Sequence, residues 1–78
     1  MNAEETRKLE QRITVYENVI ASFEGNRQRM LDRRKGATDS VMVRIDESLQ
    51  LNERTLKSLK SILSAAKRQL SDDVSKRT

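Results

Sequence analysis

The sequence predicts an all-α fold, a two-helix antiparallel hairpin of coiled-coil character, and three observations carry that expectation. Proline is absent and glycine occurs twice in a chain rich in Glu, Lys, Arg, Gln, Leu and Ala, the composition of long helices. Met42, Ile45, Leu49, Asn52, Leu56, Leu59, Leu63, Ala66 and Leu70 alternate steps of three and four, which holds one helix face to about 3.5 residues per repeat. A polar, glycine-containing segment from Lys35 to Ser40 interrupts the helical pattern near the middle of the chain.

The first helix is expected from about residue 3 to residue 34. Its stripe is Leu9, Ile13, Tyr16, Ile20 and Phe23, with Val19 alongside. The same phase continues to Arg27, Met30 and Arg34, so the seam turns basic, and that end should be looser or should bind something. Gly25-Asn26 falls within this run. Gly25 lies away from the seam, where a helix tolerates glycine at about 1 kcal/mol, so two readings stand: one unbroken helix, or a break followed by a short helix from Arg27 to Lys35.

The turn is expected at about 35–39. Gly36 suits a left-handed residue after the helix, and Thr38, Asp39 or Ser40 suits the N-cap of the next. Arg33, Arg34 and Lys35 stand where the helix C-terminus favours cations. The second helix should run from about 40 to 74, with Ser71 to Thr78 losing the pattern and fraying. Folding at the turn would bring Phe23 near Leu49, Tyr16 near Leu56 and Leu9 near Leu63. The hairpin, 1–78, is then a single domain.

Composition narrows function. The 78 residues include neither cysteine nor histidine, so neither disulfides nor a zinc site is expected to stabilise so small a chain, and no cofactor is expected. No apolar run is long enough for a membrane span, and the charged N-terminal segment is unlike a signal peptide. A soluble, cytoplasmic protein is expected. Catalysis is not expected: the adjacent pairs Asp46-Glu47 and Asp72-Asp73 point in different directions on a helix, Ser58, Ser61 and Ser64 have only lysine as a base, and a two-helix rod offers no concave pocket.

Two helices alone leave each apolar seam partly open, and Val19, Leu31, Val41, Ile62 and Val74 widen the stripes beyond strict seam positions. Burial should therefore be completed by further helices, from a second copy forming a four-helix bundle or from a helical partner. The expected interface is Leu9, Ile13, Tyr16, Ile20, Phe23, Leu49, Asn52, Leu56, Leu59, Leu63 and Leu70. The corresponding function is a protein-protein assembly module: an adaptor, small chaperone or complex subunit. Asn52, an amide at a seam position, either fixes register and oligomer number or sits where water reaches it.

The alternative is nucleic-acid binding. The net charge is +4, no acidic residue falls between Arg54 and Ser71, and Arg54, Lys57, Lys60, Lys67 and Arg68 line a face that could track phosphates. Tyr16 and Phe23 both lie in the seam, so stacking platforms for bases are missing. Membrane-surface binding is less favoured, since tryptophan is absent and the apolar stripe is committed to helix partners. In layout and length the hairpin resembles small homodimeric helical hairpins that bind RNA. The heptads from Met42 to Leu70 also resemble a SNARE core helix, except that the polar layer is Asn52 where that family places Gln or Arg. Heptads recur in unrelated families, so these likenesses assign none.

Overall fold

The computed structural model describes residues 2–77, with side chains described to residue 75; Met1 and Thr78 lie outside. Two helices, α1 (Ala3–Arg34) and α2 (Asp39–Arg77), fold back on one another as an antiparallel hairpin. At about 1.5 Å per residue the 39 residues of α2 span the long axis of a rod measuring 58 × 14 × 14 Å.

Local chemistry explains the helix ends. Asn2 caps α1 with extended backbone and a side-chain oxygen that accepts from the Glu5 amide at 2.8 Å, and Glu4 and Glu5 occupy the first turn. Acidic side chains there oppose the positive end of the helix dipole. At the other end, the amides of Gly36 and Ala37 donate to the carbonyls of Arg33 and Arg34, both at 3.3 Å, tightening the last turn to three-residue spacing. Lys35 keeps right-handed helical dihedrals and no described residue adopts positive φ. The left-handed role expected for Gly36 is therefore not used: the chain leaves α1 through a tightened helical turn, not through a left-handed cap. Thr38 immediately precedes α2, its carbonyl accepting from the Met42 amide at 2.8 Å.

Gly25 does not break α1. An added Cβ would meet only the flexible tip of Arg29, at 3.9 Å, so the glycine simply rides on an open flank. α2 also continues to Arg77, past the end expected near residue 74, and within the segment expected to fray Asp73 is buried against α1; Thr78 lies outside the described residues. A hydrogen bond to a partner helix, invisible to hydrophobic periodicity, replaces the missing apolar contact there.

Cross-helix bonds set the register. Thr6 Oγ1 lies 2.9 Å from Asp73 Oδ2; Arg27 pairs with Glu53 and Arg34 with Asp46. Stepping by alternate threes and fours from Thr6 and Asp73 puts Leu9 beside Leu70, Tyr16 beside Leu63, Ile20 beside Leu59, Phe23 beside Leu56 and Met30 beside Leu49. The expected pairing of Phe23 with Leu49 is thus off by one heptad. The hydrophobic pattern repeats every heptad and accepts either register. Salt bridges and the Thr6–Asp73 bond distinguish them.

Packing is incomplete. Leu9, Ile13, Ile20 and Leu56 form the buried apolar core, and no side chain among the described residues is fully enclosed. A compact protein of 9.0 kDa exposes about 4,900 Å², whereas this rod exposes 6104 Å². The excess of about 1,200 Å² follows from the shape: a pair of helices has a seam but no interior.

Candidate protein interface

Three surfaces run along the rod: the seam that closes the hairpin and two flanks. The residues expected to form a protein interface lie in the seam. Leu9, Ile13, Ile20, Leu56 and Asn52 are buried there, while Tyr16, Phe23, Leu49, Leu59, Leu63 and Leu70 are half-buried. Most of their apolar surface is thus turned to the opposite helix of the same chain.

Asn52 faces the part of α1 where the seam has become basic. Its amide nitrogen donates to the Phe23 carbonyl at 3.0 Å, while its side-chain oxygen is buried with no hydrogen-bond partner. Of the two sequence readings, exposure to water does not describe this side chain: only 7% of Asn52 is exposed. An unpaired buried carbonyl costs about 1–3 kcal/mol. The same amide therefore ties the helices together and weakens the core around it.

One flank is charged. Glu17 meets Lys67 at 4.0 Å, Glu24 meets Lys60 at 3.2 Å and Arg27 meets Glu53 at 3.5 Å across the two helices. Lys60 and Lys67, two of the five residues expected to form a phosphate-binding face, are thus engaged by α1 carboxylates. Arg54, Lys57 and Arg68 are exposed and have no ion-pair partner among the described residues. The sequence of α2 by itself suggested an unopposed basic stripe; its counter-charges come from the other helix. At the turn, Arg34 grips Asp46 with two bonds, Nε to Oδ1 at 2.8 Å and a terminal nitrogen to Oδ2 at 3.4 Å. Hydrogen bonding from Arg34 draws the Asp46 carboxyl below its ordinary value, against desolvation and with a smaller contribution from the guanidinium charge.

The other flank of α2 carries no charge over six heptad half-steps. Ser48, Leu51, Thr55, Ser58, Ile62, Ala65 and Gln69 again step by three and four, but outside the hairpin seam. Leu51 is 62% exposed and Ile62 46%. On α1 the same side of the rod carries Val15, exposed, and Val19, half-buried. Near the turn, Phe23, Met30, Leu51 and Asn52 line a shallow groove. Leu51 and Val15 were not among the expected interface residues, because each is flanked by polar neighbours and falls outside the seam phase. The signal that finds Leu51 is the uninterrupted lack of charge along a second three-and-four stripe of α2, whereas Val15 stands beside Arg12 and Lys8 on α1 and has no such signal.

Among the described residues no group of acidic side chains, cysteines or histidines converges as a metal site, and no helix is long and apolar enough to cross a membrane. Among known proteins, no family model, no curated protein and no solved structure matches the chain.

Proposed function

We propose that this chain is a non-enzymatic assembly module, a helical hairpin that completes its fold by packing the uncharged flank of α2 against further helices. The observation that carries this reading is exposed aliphatic surface in an unbroken uncharged stripe: Leu51 and Ile62 on α2, with Val15 beside them on α1. An interface of ordinary size removes about 800 Å² from each partner, less than the excess surface of the rod. Its place would be that of an adaptor, small chaperone or complex subunit of the cytoplasm.

Binding of nucleic-acid backbone through Arg54, Lys57, Lys60, Lys67 and Arg68 is the weaker reading. Carboxylates from α1 already neutralise part of that face, which reduces the number of phosphates it can hold.

The test combines light scattering with circular dichroism on the wild type and on Leu51→Asp/Ile62→Asp. Two outcomes support assembly: an oligomer that the double variant converts to a helical monomer, or a wild-type monomer that is poorly helical and melts without cooperativity, as expected of a chain awaiting its partner. A cooperative, fully helical wild-type monomer of 9.0 kDa overturns it. So does an oligomer indifferent to the double substitution.

A further inference from the structure

We infer that the occupant of the uncharged flank is a second copy of this chain, stacked face to face with its turn at the opposite end, on a two-fold axis passing Ser58 of α2 and Val19 of α1. This rests on the assembly reading above and gives it a partner and a register.

The argument starts from symmetry. Two hairpins stacked with opposed turns are related by an axis perpendicular to the helices, so each helix meets its own copy antiparallel and a residue on the axis meets itself. A stripe can close on itself in this way only if it is complementary to its own reversal. On the uncharged flank of α2, heptad steps from Ser58 lead in one direction to Leu51 and Arg44, and in the other to Ala65 and Asp72. Reversal about Ser58 sets Leu51 against Ala65 of the second copy, a large side chain over a small one, and Arg44 against Asp72. The intervening positions bring Thr55 opposite Ile62.

Both ends of the stripe have charge to give. Arg44 and Asp72 are exposed, and neither has an ion-pair partner among the described residues. Opposite charges at the two ends, each repeated by the symmetry, favour this register over slipped ones.

The second helix provides an independent check. The hairpin register places Ile20 level with Leu59, so Val19 and Ser58 lie within about 3 Å of each other along the rod. One axis therefore serves both helices. On α1 it sets Val19 against itself, Val15 against Ser22 and Glu5 against Arg33. Two places do not match: Lys8 meets Arg29 with like charge, and Arg12 meets Asn26 without a counter-charge, all at exposed positions. The charged flank, with Lys57 and Lys60, stays outside the contact.

The decisive experiment uses the absence of native cysteine. Ser58→Cys should form a disulfide-linked dimer under mild oxidation at least ten-fold faster than Ser64→Cys, which lies on the charged flank of α2, with both variants retaining wild-type helicity. A mixture of Leu51→Cys and Ala65→Cys chains should cross-link faster than Leu51→Cys alone, the reverse of what a parallel pairing would give. Charge exchange adds a readout free of cysteine chemistry. Arg44→Asp should weaken the dimer about three- to ten-fold, and adding Asp72→Arg in the same chain should restore it. Arg44 and Asp72 are about 42 Å apart on one helix, so rescue can pass only through a second copy.

Equal cross-linking of Ser58→Cys and Ser64→Cys overturns the inference. A dimer by light scattering with no preference for Ser58 overturns the face and register while leaving assembly standing. A poorly helical monomer overturns self-pairing and points instead to a different helical partner.

Discussion

The two halves of the hairpin seam are built on different principles. Towards the chain ends the helices meet through aliphatic side chains, with Leu9, Ile13 and Ile20 buried on α1. Towards the turn the α1 side of the seam is Arg27, Met30 and Arg34, and the contacts that span it are the Arg27–Glu53 and Arg34–Asp46 pairs and the Asn52 amide. Aliphatic burial gives strength without direction, since any heptad shift preserves it. Polar contacts add little stability when exposed, yet each demands one partner. One half of the molecule therefore supplies most of the adhesion and the other much of the alignment.

The largest effect that tests this contrast is cavity formation. Ile13→Ala should lower stability by about 2–4 kcal/mol, whereas Met30→Ala, at a half-buried position beside charged neighbours, should cost clearly less. Urea denaturation at fixed protein concentration measures both. Equal losses would erase the distinction between the halves.

A smaller effect of opposite sign is expected at the amide. Asn52→Leu removes the buried oxygen that lacks a partner and should raise stability by about 1–2 kcal/mol. The same change should relax the register, seen as broadened cross-strand distances between spin labels near Phe23 and Leu56. A stabilised variant with an unchanged distance distribution would assign alignment to the ion pairs alone.

The smallest effect concerns acid. Asp46 titrates lower in the folded chain than in the unfolded one, first because Arg34 donates hydrogen bonds to it and further because of the Arg34 charge, with desolvation opposing. Its contribution is then complete above the ordinary value of 3.8 and is lost as pH falls through the lower folded value. Asp46→Asn should remove part of the acid-side loss of stability. Urea midpoints of the two proteins, compared from pH 6 to pH 2, should converge at the acid end. Curves that stay parallel would show that the pair contributes nothing to the turn.

Much of the fold was legible because helix propensity and heptad spacing are local properties. The lack of proline, the two stripes and the polar break from Lys35 to Ser40 lead to two helices and a turn whatever the rest of the molecule does. The seam positions Leu9, Ile13, Ile20 and Leu56 were readable for the same reason. Less legible was the second stripe from Ser48 to Gln69, since small and hydroxyl residues carry no hydrophobic signal.

What the sequence by itself determined was therefore the helices and the faces they pack with, because periodicity is written residue by residue. Tertiary structure decided three things. The pairing slid by one heptad from the expected register, a choice that depends on which charged and hydroxyl side chains meet across the gap. The basic stripe of α2 was partly neutralised by Glu17 and Glu24 of α1, because charge on one helix is balanced only by what folding places beside it. Finally, Leu51 and Ile62 were left uncovered, since exposure depends on how many helices surround a face, and one hairpin contributes two.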